Sequence, residues 1–281
     1  MKRNTLAGVV VLYHPKPSVW ENIQSYLGSL DKLYIVNNST EQSSLLQHLL
    51  ASEQTQLLYS GENIGIAKAL NLALKQAEED NIEWLMTFDQ DSAFERDDFS
   101  LFLNACEEVV HERVAIFSPL HQRRLQKPAS SSPFSTQLYV MTSANRVNVA
   151  IAQEVGGYDE NLFIDEVDHE FCFRLHMHHY RVFVHHTIAI KHTLGEKYRH
   201  RGREITLYDA KRLYYMSRNY LYIREKYYRY DKTFFKQRDR YLLRFFKNQL
   251  LYGKSRFQNL KSILYGYRDY RNRAFGKGHH V

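Results

Sequence analysis

Two cysteines in 281 residues, Cys106 and Cys172, are too few for a disulfide framework, and their spacing matches no metal-binding pattern. A reducing compartment is the simpler reading. Long apolar runs are also missing. The stretch Ala7 to Tyr13, directly behind Met1 to Leu6, is too short to span a membrane and lacks the small-residue pattern of a cleaved signal. Nothing elsewhere approaches about 18 consecutive apolar residues, so the chain is expected in the cytoplasm. No Gly-x-Gly-x-x-Gly follows the first apolar run, which argues against a dinucleotide-binding dehydrogenase. No known nucleic-acid-binding module is recognisable either.

What is present is ordinary in bulk and uneven in distribution. Hydrophobic residues make up 44% and charged residues 25%, enough for one large domain or for a domain with an appendage. The net charge of +7 divides sharply. Residues 197–281 carry 23 Lys and Arg against 6 Asp and Glu, a net of +17, while the rest of the chain has a net of −10. The same segment holds 14 of the 21 tyrosines. So abrupt a shift marks a change of role near residue 196.

The first half alternates short apolar runs with amphipathic stretches, as β-α units around a mostly parallel sheet do. Gly8 to Tyr13, Leu33 to Val36, Gln56 to Tyr59, Trp84 to Phe88 and Val114 to Phe117 read as strands. Helices are predicted from Ser18, as cap, to about Leu30, around Leu45 to Ala51, and over 66–79 with Ile66, Ala69, Leu70, Ala73, Leu74 and Ala77 on one face. Thr187 to Lys191 is strand-like, and the Ser/Pro-rich stretch Lys127 to Ser135 reads as a mobile loop. Ligands of such sheets bind beyond the carboxyl ends of the strands, where the polar clusters 37–40 and 89–92 fall.

Four constellations can carry chemistry. Asp89-x-Asp91 places two carboxylates at a strand-to-loop junction, where both can reach one hard cation that also binds phosphate oxygens; alone, such a pair is often a solvated turn. Phe163 to Arg174 predicts a helix starting near Asp165 with acids in its first turns, which the helix dipole favours. There Asp168 can act as a general base, with Arg174 as the structural partner of an acid. His192-Thr193-Leu194-Gly195 offers an imidazole suited to Mn²⁺, although His176, His178, His179, His185 and His186 show that most histidines here stand outside any motif. Asn63 to Asn71, with Gly65 and Lys68 at a helix start, suits an anion such as a diphosphate as well as it suits a plain capped helix.

The order and spacing of these pieces resemble family 2 glycosyltransferases, especially bacterial rhamnosyltransferase-like members. The matching segments are Val11 to Pro15, Val36 to Ser39, Asn63-x-Gly65-Ile66-Ala67-x-Ala69-x-Asn71, Asp89 to Ser92, Gly156 to Asp159, Phe163-Ile164-Asp165-x-x-Asp168-x-Glu170-x-Cys172-x-Arg174 and His192-x-x-Gly195, spread over residues 6–225. The resemblance implies an α/β GT-A nucleotide-diphospho-sugar transferase fold with a mostly parallel central sheet and a C-terminal helical basic appendage. It implies a catalytic domain over 1–196, its donor-binding part at 1–95 and its acceptor and base part at 96–196, ahead of the Tyr-rich region 197–281. Tyr13 and Asn37 would line the base pocket, and Asn63 and Lys68 would lie near ribose and diphosphate. Asp89 and Asp91 would hold the nucleotide and a divalent cation, Mn²⁺ or Mg²⁺, with His192 as a further ligand, and Asp168 would be the base of an inverting transfer. Two departures stand out: Asn37 where the family often has Asp, and Ser143-Ala144 where it often has Ser-Gly. The implied donor is dTDP-L-rhamnose, with UDP-galactose, UDP-glucose or their N-acetyl forms as the alternative. The implied acceptor is a glycan or lipid-linked saccharide of a cell-surface polysaccharide.

In the basic region Leu213, Met216, Tyr220, Ile223 and Tyr227 recur at helical spacing, and Leu243, Phe246 and Leu250 form a stripe flanked by Arg240, Arg244 and Lys247. Basic residues beside an apolar stripe suit the anionic inner face of a cell membrane. Packing on the catalytic domain or on a second subunit, as in a homodimer, is the other use of such a face. Nucleic-acid binding by interleaved basic and aromatic residues is the rival from another class; without a module, and with the acidic motifs then unexplained, no nucleic-acid partner is expected.

Overall fold

The computed structural model describes residues 5–41, 43–95, 97–109, 113–121, 132–191, 196–200 and 203–278. In chain order the elements of the first part are β1 (Leu6–Leu12), α1 (Val19–Leu27), β2 (Lys32–Asn37), α2 (Ser44–Leu50), β3 (Thr55–Ser60), α3 (Ile66–Glu79), β4 (Trp84–Asp89), α4 (Asp98–Glu108), β5 (Val114–Leu120), β6 (Phe134–Thr136), β7 (Asn145–Asn148), α5 (Val149–Glu154), α6 (Val167–Met177) and β8 (Arg181–Ala189). The remainder forms β9 (Glu196–His200), β10 (Arg203–Leu207), α7 (Ala210–Tyr227), α8 (Lys232–Tyr252) and α9 (Arg256–Arg271).

The chain divides into two compact units, Met1–Asp159 with Val167–His192, and Glu160–Glu166 with Thr193–Val281. The first unit is built on an eight-stranded sheet in the order β3-β2-β1-β4-β7-β5-β8-β6. The β3-β2-β1-β4 half is parallel throughout, as strands joined by helical crossovers are. Beyond β4 the order changes: β7 runs antiparallel between β4 and β5, and β5 pairs in parallel with β8.

Several expectations need adjustment here. β7, Asn145-Arg146-Val147-Asn148, offers one apolar residue in four, so no hydrophobic period announces it. The stretch read as a mobile loop ends in β6, antiparallel to β8, while its residues 127–131 lie outside the described residues. β8 starts at Arg181, ahead of the expected Thr187, because the buried His185 and His186 interrupt its apolar pattern. Ser18 occupies the cap position of α1 in helical geometry and makes no side-chain cap bond.

In the second unit β9 and β10 form an antiparallel hairpin followed by three helices. Asp209 caps α7 by accepting from the Arg212 amide, and Asp231 caps α8 by accepting from the Phe234 amide. The α7 face that read as amphipathic is interior: Leu213, Tyr220, Ile223 and Tyr227 are buried. Gly266 lets α9 lie close against α7; a Cβ there would fall on Ser217 Oγ and the Tyr214 carbonyl oxygen.

Candidate active site

Strand register brings the first candidates together. Val11 of β1 lies opposite Asp89 of β4, and Leu12 lies opposite Asn37 of β2. Tyr13, Asn37 and Asp89 therefore sit at the carboxyl ends of three adjacent parallel strands, the end at which open α/β sheets bind ligands. Gln90, between the two acids, links two of these exits. Its Oε1 accepts from the Tyr13 amide at 2.8 Å, its Nε2 donates to the Tyr13 carbonyl at 3.1 Å, and the Gln90 backbone carbonyl accepts from Asn22 Nδ2 at 2.9 Å. Sequence reasoning passed over Gln90, whose only signal was its place between the acids.

Asn37 and Asn38 are buried. Asn37 Nδ2 donates to Ser60 Oγ at 3.0 Å, and its Oδ1 accepts from the Ser39 amide at 3.2 Å, so its side chain ties the end of β2 to the end of β3. Asn38 Oδ1 accepts from the Ile64 amide at 3.3 Å, which joins β2 to the turn before α3. In that turn Asn63 Oδ1 accepts from the Gly65 amide at 2.9 Å, and Gly65 takes φ +85°. Helix α3 then starts with no side-chain cap and no acid in its first turn, with Lys68 exposed. Its leading amides and positive dipole end suit an anion.

Asp89 and Asp91 lie half-buried in a tight turn closed by the Ser92 amide on the Asp89 carbonyl at 3.0 Å. The turn is held from two sides. Ser92 and Ser143 hydroxyls are hydrogen-bonded, and Ala93 forms an antiparallel bridge with Lys191. His192 follows Lys191 in sequence and lies outside the described residues. Below the turn, Tyr26 stacks on Phe88 at 3.7 Å; burial, and then the Asp89 charge, holds its phenol protonated well above the ordinary range. Two carboxylates fit a hard cation that draws its remaining ligands from phosphate and water, as Mg²⁺ does. Among the described residues no group of three His, Cys, Asp or Glu side chains could hold a metal ion by itself.

Asp168 stands in the first turn of α6. Its Oδ1 accepts from the His169 amide at 2.8 Å and lies 3.0 Å from His169 Nδ1, and the His169 ring packs on Tyr139 at 4.4 Å. The segment from Gln137 to Ala144 touches both this helix and the acidic turn, through Tyr139 on His169, the Gln137 carbonyl on His176, and Ser143 on Ser92. Ala144 within it takes φ +60°, a backbone conformation that favours glycine.

The acids around Asp168 have other duties. Helix α6 begins at Val167, two residues later than expected, because Asp165 and Glu166 both take φ +64°. Consecutive non-glycine residues there cost on the order of 1–2 kcal/mol each. In the second unit Arg212 pairs with Asp165 at 2.9 Å, Arg238 pairs with Glu166 at 2.9 Å, and Asn219 Nδ2 donates to the Ile164 and Asp165 carbonyls. Glu170, fully buried, is forked by Arg174, which also donates to the Val155 and Gly157 carbonyls. Arg174 is thus a structural partner, as its spacing suggested. Asn71 likewise clamps the Gly156-Gly157-Tyr158 turn: it accepts from the Tyr158 amide at 2.7 Å and donates to the Tyr158 carbonyl at 2.9 Å. Gly157, at φ +66°, would with a Cβ stand 2.6 Å from Asn71 Oδ1.

A half-parallel sheet with a β4-terminal Asp-x-Asp and an uncapped helix at the same sheet end belongs to the GT-A class of nucleotide-sugar transferases. The family model described as glycosyl transferase family 2 matches residues 9–157, and the chain belongs to that family: it is a glycosyltransferase. It is 26% identical over 240 residues to the dTDP-rhamnosyl transferase RfbF of Shigella flexneri, covering 77% of this chain and 78% of that one. In fold it is similar to residues 1–349 of S. aureus TarS in complex with UDP-GlcNAc, with 14% identity, a TM-score of 0.54, and 96% of this chain and 92% of that chain covered. It is also similar to GalNAc-T7 with UDP, GalNAc and Mn²⁺, with 11% identity, a TM-score of 0.55 and 70% of this chain covered; it spans only 44% of the length of that protein.

Proposed function

We propose that this glycosyltransferase moves L-rhamnose from dTDP-L-rhamnose to a hydroxyl of a glycan or lipid-linked saccharide, with inversion, at an anionic membrane surface. The observation that carries the donor is the similarity to a dTDP-rhamnosyl transferase over three quarters of both chains. Tyr13 and Asn37 are proposed to line the base pocket, and Asn63 and Lys68 to lie near the ribose and diphosphate, at a helix start whose free amides suit an anion. Asp89 and Asp91 would hold a divalent cation, Mg²⁺ or Mn²⁺, which when bound neutralises charge on the diphosphate. His192 is proposed as its further ligand.

Asp168 takes the proton of the acceptor hydroxyl as that oxygen bonds to the anomeric carbon and the bond from that carbon to the diphosphate breaks. The amide and ring of His169 hold one oxygen of this carboxylate, which restricts its rotation. The basic second unit supplies attraction to a membrane in which a lipid-linked acceptor would be presented.

A donor panel tests the reading: thermal shift and slow hydrolysis with dTDP-rhamnose and with UDP-galactose, UDP-glucose and their N-acetyl forms, with and without Mn²⁺ or Mg²⁺. A metal-dependent response to dTDP-rhamnose, lost in Asp91→Ala, is expected. A response confined to a UDP-sugar would replace rhamnose, and silence with every donor would remove the proposed chemistry.

A further inference from the structure

Helix α9 is amphipathic in the reverse sense. The residues it buries are Asn259, Ser262, Gly266 and Asp269, all small or polar. The residues it exposes include Phe257, Leu260, Leu264 and Tyr267, with Phe257 81% and Leu264 55% accessible. Offsets of three, four and three residues put these four on one stripe along the helix. The inner face has specific work: Asn259 Nδ2 donates to the Gln249 carbonyl at 3.0 Å, Gly266 permits the close approach to α7, and Asp269 accepts from the Tyr214 hydroxyl at 2.7 Å. A helix so fixed cannot turn its apolar side inward, and a contiguous exposed apolar stripe marks a surface of interaction.

The charges beside the stripe identify what covers it. Arg256, Lys261 and Arg271 are exposed on the same helix, and its one acid, the buried Asp269, pairs with Arg268 at 3.0 Å. At the N-terminal end of the stripe Lys211 and Lys254 line a cleft of about 570 Å³, beside Asp209 and the Asp165-paired Arg212. We infer that the α9 stripe of Phe257, Leu260, Leu264 and Tyr267 is the face by which the protein lies on an anionic lipid surface, the side chains entering the headgroup layer and the basic residues meeting lipid phosphates. The inference rests on the membrane part of the proposed function and names the surface responsible. No helix among the described residues is long and apolar enough to cross a membrane, so the contact is one of lying on the surface. A second copy docked face to face would bring a helix of like charge against this one, and Phe257 and Tyr267, set apart by the two leucines, form no continuous platform on which successive bases could stack.

The test uses the full chain with vesicles of phosphatidylcholine alone and with ~30% phosphatidylglycerol, at about 0.05 M and about 0.5 M salt. Wild type is expected to sediment with the anionic vesicles, more weakly at high salt. Phe257→Ser with Leu264→Ser is expected to bind about 100-fold more weakly, roughly tenfold for each side chain withdrawn from the lipid. Leu101→Ser, a substitution at an exposed leucine of α4, is the control and is expected to bind as wild type does. Donor hydrolysis in solution is read in parallel and is expected to be unchanged in the double variant. Its absence in wild type would strike the transferase proposal while leaving the vesicle result standing. The inference is overturned if wild type ignores anionic vesicles or if the double variant binds as wild type does. It is equally overturned if light scattering shows a dimer, or a gel shift shows an RNA complex, that the double variant abolishes.

Discussion

The two units solve the problem of an interior with different chemistry. The first buries aliphatic and phenylalanine side chains in one large cluster from Leu6 to Ile190, as sheet proteins commonly do. The second buries Arg218 completely, with its guanidinium 5.1 to 5.9 Å from the Tyr214, Tyr215 and Phe275 rings. Arg218 donates to Tyr214 Oη, Asn219 Oδ1 and the Ala274 and Asn161 carbonyls, and Tyr214 passes the chain on to Asp269. Tyr220 and Arg224 share Asp239 in the same way. Burial, and then Asp269, pushes the Tyr214 phenol up to about 12. A Tyr- and Arg-rich sequence can thus form a core when each polar head finds a partner as its ring or stem is buried. A high count of basic residues is therefore not a measure of surface charge alone.

Catalysis should separate the units most widely. Asp168→Asn in the first unit is expected to lower kcat by about 10²-fold or more while donor binding is kept, since a general base acts in the transition state. Steady-state kinetics with calorimetric donor binding reads both quantities, and near-normal turnover would remove Asp168 from the mechanism. Next comes packing in the second unit. Gly266→Ala should destabilise by about 2–3 kcal/mol, because its Cβ meets α7 backbone that cannot yield. A urea melt unchanged by this substitution would mean that α7 and α9 are not packed so closely.

A pH effect of similar or smaller size belongs to the first unit. Burial, and then His186, lowers the His185 pKa to about 4. Its Nδ1 also accepts from the Thr187 and Ile188 amides at 3.2 and 3.0 Å, which a protonated ring could not do. The unfolded chain binds this proton near pH 6.5 and the folded one only near pH 4. The stability it contributes is complete above the upper value and is lost as pH falls through that window, up to about 3 kcal/mol. Melts at several pH values should show the slope, and His185→Gln should flatten it. The smallest expected effect is Gly28→Ala at the end of α1. This glycine has φ −64° and open space around it, so Ala should stabilise by roughly 0.5 kcal/mol. A loss of more than that would show an unseen constraint at the end of α1.

The parallel half of the sheet was legible because β1, β2 and β4 each carry a run of apolar residues and α3 repeats on one face over its full length. β7 was not, since a short strand of Asn and Arg is set by its neighbours and not by its own pattern. At the site, the positions of Asp89, Asp91 and Asp168 could be read as motif residues. The supporting bonds of Gln90 and Asn71 could not, because partners 77 and 87 residues apart leave no local trace. The division of labour among Asp165, Glu166 and Asp168 was hidden for a related reason: the arginines that claim the first two lie 47 and 72 residues further along. The jump in composition near residue 196 was plain, while its use as a core, with the apolar side of α9 left outward, required the folded chain.

The seven residues Glu160–Glu166 belong to the second unit although first-unit sequence lies on both sides of them. Inheritance is constrained as a result. A recombination joining the first unit to a foreign partner at residue 193 would carry Asp165 and Glu166 along without Arg212 and Arg238. It would leave two acids in left-handed backbone, immediately ahead of Asp168, with those counter-ions gone. The two units are therefore expected to have descended together, with changes at 160–166 matched by changes in α7 and α8.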